Sequence, residues 1–435
     1  MATSSETTPF AEPLWHTRPT GVYYKDSHRQ LRDSIHTYIS EKIAPNCAEW
    51  EEQGFVPKEV LLEHSLRGYT AVTVNPAAIA PYLRGNGEWS SVTLPGGIQP
   101  EEWDAFHDLV CIDEIARCGY LGVIWALGCG DAIGLPPVIN FGTEEQKRRF
   151  LPGVLRGQER FCLGVTEPDA GSDVANITTT AERRGNVYIV NGAKKWITNG
   201  MWATYCTAAV RTGGPGKGGI SALVIPLTSK GVTRRKILNS GVAASGSTYI
   251  EFDDVEVPVS NLLGTKNQGF KIIMSNFNHE RVWLACTSLR LARTCLQDAY
   301  NYALSRQTFG TALINHQAIR SKFSVLGGSI LPAHAFMESL VAHSLSNSDP
   351  QIGGLIALLK VMAGKALEQA AREAQQIMGG LGYSRTGKGA RIEQIGRDVR
   401  VLVVGGGSEE ILSDLAFRQE KRDLVSITRN TKSKL

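Results

Sequence analysis

The sequence predicts an α+β chain in three parts: an N-terminal helical domain, a central β-domain read as an antiparallel barrel or sandwich, and a C-terminal four-helix bundle. Three observations carry this. Apolar residues recur every four positions from Ser27 onward, at Leu31, Ile35, Ile39 and Ile43. From Phe161 to about Gly264 the apolar segments shorten, alternate and fill with β-branched and aromatic residues. Beyond Gly264 three long helical stretches follow, roughly Gly269 to Arg306, Ala318 to Ser344 and Gly354 to Met378, with a last helix from about Ser408. The predicted boundaries are a disordered tail over 1–25, a helical domain over 26–160, a β-domain over 161–265, a bundle over 266–425 and a second tail over 426–435.

Taken in order, Pro9, Pro13 and Pro19 break any helix in the first segment. The amphipathic helix from Ser27 stops before Pro45, and a short one covers Lys58 to Leu66. Residues 75–100 carry so many glycines and prolines that they read as a long loop or flap. Trp103, Phe106, Val110 and Ile115 restore helical spacing, and another helix runs from Leu121 to Phe141. Thr143 with Gln146 forms a capping-box start for a helix over Glu144 to Leu155. Strands follow at Val187–Val190, Tyr205–Val210, Ile220–Ile225 and Tyr249–Phe252, punctuated by Gly192 and by Gly213 to Gly219.

Composition excludes several classes. With 435 residues, 42% hydrophobic and 20% charged, the chain has the material for a large core. A net charge of +4 with no basic block argues against nucleic acid as a partner. No uninterrupted apolar run approaches the ~20 residues of a membrane helix, so no membrane insertion is expected. The eight cysteines form no CxxC pair and sit among apolar residues, which predicts a reducing compartment and no metal site. The last three residues, Ser433, Lys434 and Leu435, match the address read by the peroxisomal import receptor, which predicts the peroxisomal matrix.

The stretch from Phe161 to Gly200 carries the chemistry. Gly164 to Asp173 reads G-V-T-E-P-D-A-G-S-D, a strand end breaking into a turn where Gly171 is free to take positive φ. Lys195 to Gly200 reads K-W-I-T-N-G. Hydroxyls from Thr166, Ser172 and Thr198 beside the flat face of Trp196 suit a heteroaromatic cofactor, whereas either segment alone reads more plainly as a β-turn and a core aromatic.

Together with three later motifs, this pattern resembles the acyl-CoA dehydrogenase family of flavoproteins. The later motifs are R-Q-T-F-G at Arg306 to Gly310 followed by His316–Gln317, Q-I-M-G-G-L-G-Y at Gln376 to Tyr383, and R-D-V-R…G-G-G-S-E-E-I over Arg397 to Ile411. The resemblance implies FAD as cofactor and an acyl-CoA substrate. It implies that Leu163, Val165, Thr166, Gly171, Ser172, Trp196, Ile197 and Thr198 line the flavin, with Ser172 also facing substrate. Arg306, Phe309, Gln317, Gln376 and Gly380 would hold the adenine side across a subunit contact in a homotetramer or homodimer, and Ser408 and Glu410 would close over the dinucleotide.

The base departs from the commoner pattern. Many members place a glutamate two residues before the Ser or Thr of the C-terminal signature, and here that position is Gly406. A minority, including the isovaleryl-CoA type, carries it on the first bundle helix before an arginine. This chain has Asn278–His279–Glu280–Arg281. Glu280 is therefore expected as base, Gly406 as the backbone N–H that polarises the thioester, and Arg281 and Asn278 as CoA contacts. Glu409 and Glu410 are rivals for the base, and His279 reads as structural. The implied reaction is α,β-desaturation of an acyl-CoA or related thioester, with oxygen or another carrier as acceptor. Two other readings keep the fold: a flavin monooxygenase or oxidase, and a non-catalytic flavin-binding relative.

Overall fold

In the computed structural model the chain is described over residues 7–18, 22–346 and 352–432. It divides into two compact units, one built from Met1–Ala44, Asp104–Tyr120 and Asn278–Leu435, the other from Pro45–Trp103 and Leu121–Phe277.

The first unit is helical. Helix α1 (Asp26–Tyr38) buries Leu31 and Ile35, and a π-helical turn over Ile39–Ile43 continues the same stripe with Ile39 and Ile43. It packs on α2 (Ala105–Ala116), whose N-cap Asp104 accepts from the backbone N–H of Phe106 and His107 at 3.0 and 3.2 Å. The bundle comprises α3 (Phe277–Ser305), α4 (Gln317–Ser346), α5 (Gly353–Met378), α6 (Ala390–Val404) and α7 (Glu409–Lys432). Small buried residues along α5, among them Ala363, Gly364, Ala366 and Ala370, let neighbouring helices approach closely. Helix α6 was not expected as a helix, because its sequence reads first as a charged motif. Its alternating buried face of Ile392, Ile395, Val399 and Leu402 has helical spacing all the same.

The expected N-terminal tail is corrected over its described residues. Leu14–Thr17 form one helical turn, and the buried Trp15 ring stacks on Tyr24 at 4.1 Å. Glu12 is the reason. Its carboxylate accepts from Arg117 Nη1 at 2.7 Å and Arg290 Nη1 at 3.2 Å, while Arg290 Nε also donates to Asp113 at 2.8 Å. Those partners lie far away in sequence, so no local pattern announces them. At the other end, α7 runs on through part of the expected tail to Lys432. The terminal Ser433, Lys434 and Leu435 lie outside the described residues.

The second unit holds a sheet of eight strands: β1 (Phe161–Gly164), β2 (Thr180–Arg184), β3 (Val187–Ile197), β4 (Tyr205–Arg211), β5 (Ile220–Pro226), β6 (Val232–Lys236), β7 (Thr248–Pro258) and β8 (Leu262–Leu263). The path is β6-β7-β3-β2-β4-β5-β8, with β1 lying parallel beside β4. This corrects the expected antiparallel barrel or sandwich: the sheet is mixed, and its end strands β6 and β8 do not pair with each other among the described residues. Alternation shows that a strand exists but not which strand it joins. Its inner face gathers Tyr188, Val190, Ile197, Val210, Ile225 and Phe252.

Helices flank the sheet within this unit. The capping box at Thr143 forms as the sequence predicts, with Gln146 N–H donating to Thr143 Oγ1 at 3.2 Å and Thr143 N–H to Gln146 Oε1 at 2.8 Å. Residues 75–100 are not one loop: Pro76–Leu83 is helical, started by Asn75 Oδ1 accepting from Ala77 N–H at 3.1 Å. Two helical stretches, Leu121–Phe141 and Gln317–Leu345, are long and apolar enough to cross a membrane, against expectation. The first is 94% buried and breaks between Gly134 and Pro136, as a core helix does. The second carries Arg320, Lys322 and Glu338 and packs on α5.

Candidate functional site

In the sheet unit, the two motifs of the Phe161–Gly200 stretch lie side by side. Lys195 N–H donates to Thr166 O at 2.9 Å, and Lys194 Nζ donates to Val165 O at 3.2 Å. Glu167 and Ala170 exchange backbone hydrogen bonds, which closes a tight turn and leaves Gly171 and Ser172 exposed. Gly171 needs correction: its φ is not positive, and a Cβ there would meet open space. The non-glycine residues of this stretch with left-handed backbone lie instead in the second motif, at Trp196 (φ 64) and Asn199 (φ 59).

Trp196 is the unusual one. A bulky aromatic in the left-handed region carries about 1–2 kcal/mol of strain. It sits where the β3–β7 register breaks between Lys194 and Ile197, and its indole is 54% exposed. The hydroxyls of Thr166, Ser172 and Thr198 have no hydrogen-bond partner among the described residues. An indole held outward at a conformational cost, in a stretch with three open hydroxyls, fits the ring system of a flavin. Leu163 is half-buried, while Val165 and Ile197 bury their side chains and leave mainly backbone for a ligand.

Sequence reasoning missed what holds this wall. Glu167 is buried and accepts from Lys194 Nζ at 2.7 Å, Thr178 Oγ1 at 2.8 Å and Thr179 N–H at 3.0 Å. Burial alone would raise its pKa. The Lys194 ammonium and these donors outweigh that and hold it at about 2. Asn199 Oδ1 accepts from Gly130 N–H at 2.7 Å, and its Nδ2 donates to Ser245 O at 2.9 Å, which pins the other motif. Charged and amide residues inside both motifs were the available signal.

The helical unit carries the catalytic candidates. Glu280 lies in the first turn of α3, half-buried. Gly406 follows α6 with φ 68, and its N–H donates to no group among the described residues. A Cβ at Gly406 would stand 2.7 Å from Leu284 Cδ1 and 4.0 Å from Arg281 Cγ. The room left by this glycine is therefore taken by α3 itself. Leu284 is one turn after Glu280 on the same face of that helix. Arg281 donates from Nε to Gly406 O at 3.2 Å and from Nη1 to Asn278 Oδ1 at 3.4 Å, so it braces the glycine turn. Burial lowers its pKa and the Glu280 charge opposes that.

The rival acids have other partners. Glu409 pairs with Lys365 at 2.5 Å. Glu410 is fully exposed at the start of α7, where its own backbone N–H, and then a hydrogen bond from Ser408, lower its pKa. His279 Nε2 stands 3.7 Å from Asp108 Oδ2, away from this turn.

Arg306, Phe309 and Gln317 do not join this group. Helix α3 has 29 residues, so Arg306, just past its end, lies about 40 Å from Glu280. Phe309 caps a two-strand hairpin with φ 49 and is 99% exposed. Gln376 and Gly380, at the end of α5, are exposed as well.

Comparisons with known proteins place the chain in a family. Models of the acyl-CoA dehydrogenase N-terminal, middle and C-terminal domains match residues 25–78 and 85–158, 162–255 and 267–420. The chain is 55% identical over 424 residues to the acyl-CoA dehydrogenase AFT10-1 of Alternaria alternata, covering 96% of this chain and 97% of that protein. It is 41% identical to the acyl-CoA dehydrogenase apdG of Emericella nidulans, covering 94% of each. Its fold is similar to the crystal structure of an acyl-CoA dehydrogenase from Geobacillus kaustophilus, with a TM-score of 0.81, 27% identity, and coverage of 92% of this chain and 99% of that one. The chain belongs to the acyl-CoA dehydrogenase family, FAD-dependent oxidoreductases acting on CH–CH donors.

Proposed function

We propose that this chain desaturates an acyl-CoA at the α,β position with Glu280 as base, the placement of the isovaleryl-CoA type. The observation that carries this is the face of α3. Leu284 rests against Gly406, where the commoner family pattern puts its glutamate, and Glu280 is one turn away on that face. In the reaction the substrate α-C–H bond breaks and its proton passes to the Glu280 carboxylate. The electron pair is drawn toward the thioester oxygen, which the open N–H of Gly406 polarises, and closes the Cα=Cβ bond as the β-hydride departs. Bound FAD supplies the acceptor for the hydride leaving the β-carbon. Thr166, Ser172, Trp196 and Thr198 hold its ring, Ser408 and Glu410 border the dinucleotide, and Asn278 with Arg281 meets the CoA.

The adenine side is held by Arg306, Phe309, Gln317, Gln376 and Gly380 of a second copy, in a homodimer or homotetramer. The separation of about 40 Å along α3 supports this, since it exceeds the length of one dinucleotide. The terminal Ser433–Lys434–Leu435 supports import into the peroxisomal matrix by its receptor. There oxygen is the acceptor.

The test is anaerobic mixing with butyryl-, isovaleryl- and octanoyl-CoA. At least one is expected to bleach the flavin absorbance within seconds, and no bleaching by any acyl-CoA refutes the activity. Admitting air then tests the acceptor: recolouring within seconds supports oxygen, and recolouring over many minutes rejects it.

A further inference from the structure

We propose that Lys360 is a positioning residue for proton abstraction: its buried ammonium holds the turn Gly405–Gly407 so that the Gly406 N–H faces the substrate. This rests on the role given to Gly406 under Proposed function. Three consecutive glycines have no side chains to fix their own conformation. Gly406 and Gly407 take φ values of 68 and 111, where other residues rarely go. Such a turn keeps one shape only if its peptide groups are held from outside.

Lys360 holds them. It rises from α5 and is 3% exposed. Its Nζ donates to Val403 O at 2.5 Å and Gly407 O at 2.9 Å. The first is a last-turn carbonyl of α6, which no helical N–H reaches. The second lies just beyond Gly406. One ammonium thus staples both sides of the turn, while Arg281 Nε takes the Gly406 carbonyl between them. The polarising peptide is left with its N–H unpaired.

The site is costly to build by any other logic. No carboxylate lies within ion-pair distance of Lys360 among the described residues. The charges that face it are Arg281 on α3, which repels it, and Glu409 on α7, which attracts it but is already paired with Lys365. Burial, then Arg281, brings its pKa down to about 8, which leaves it mostly protonated at neutral pH. An apolar side chain would bury at lower cost in a helix whose other buried positions include Ala357, Leu359, Val361 and Ala363. The two carbonyl contacts are what the lysine adds.

The test uses FAD-loaded enzyme and Lys360→Met, which keeps length and removes the donors. Two rates are read: anaerobic bleaching by the acyl-CoA that works best on wild type, and α-deuterium exchange of 3-thiaoctanoyl-CoA in D2O followed by NMR. The second needs the base and the polarising N–H but no hydride transfer. Lys360→Met is expected to slow both by about 10- to 100-fold, with FAD content and acyl-CoA affinity within twofold of wild type. Both rates within twofold of wild type, with only melting temperature lowered, overturn the proposal and leave the function standing. If wild type neither bleaches nor exchanges, the function fails and the proposal with it. Should Lys360→Met not fold, Lys360→Gln keeps an uncharged amide donor on a shorter stem and is expected to be slowed at least fivefold; a wild-type exchange rate overturns the proposal.

Discussion

At the scale of single residues, Trp196 carries backbone strain that the proposed flavin contact accounts for. Its φ of 64 is one that asparagine tolerates far better. Trp196→Asn should therefore leave the apoprotein as stable as wild type, or stabilise it by up to about 1 kcal/mol. The same change should make FAD wash out on desalting. Melting curves of the apoprotein and the absorbance ratio after desalting check both halves. This residue was legible in the sequence as an aromatic in a motif. Its backbone strain was not, because strain depends on the register break between β3 and β7, which is a property of two strands. The positive φ expected at Gly171 failed for a related reason: the Glu167–Ala170 hydrogen bonds close the turn one residue earlier.

At the scale of elements, helices were easier to read than pairings. Leu31, Ile35, Ile39 and Ile43 mark their helix by spacing alone, even where it widens into a π-turn. The parallel contact of β1 with β4 joins segments some forty residues apart, and nothing in either segment encodes it. The Glu167–Lys194 pair is of this kind too. Lys194 is a buried lysine on a strand, partnered only once the strands meet. Breaking it by Lys194→Met leaves a buried carboxylate and should cost about 3–5 kcal/mol. Its pH dependence has a definite sign. The Glu167 carboxyl sits at about 2, below its ordinary 4.5. The stabilisation is complete above pH 4.5 and is lost as pH falls toward 2. Urea melts at pH 7, 4 and 3 should show wild type losing stability on acidification, and Glu167→Gln losing less.

At the scale of the whole molecule, the two units carry different parts of the work. The sheet unit presents the strained indole and open hydroxyls, and the helical unit presents Glu280, Gly406 and the lysine behind it. In the proposed assembly the exposed Phe309 hairpin meets a second copy. Phe309→Asp should shift sedimentation toward smaller species and lower FAD retention together, whereas unchanged mass and retention would exclude that hairpin from the contact. The motifs made the proposed flavin wall legible. The proposed base was legible only as a missing glutamate at Gly406 and an extra one at position 280. The structure adds the contact of Leu284 with that glycine. The most direct measurement is therefore the anaerobic bleaching rate of Glu280→Gln beside wild type, with the same acyl-CoA. The variant should keep its bound FAD and lose at least about three orders of magnitude in rate. A Glu280→Gln enzyme that bleaches at the wild-type rate would contradict the account.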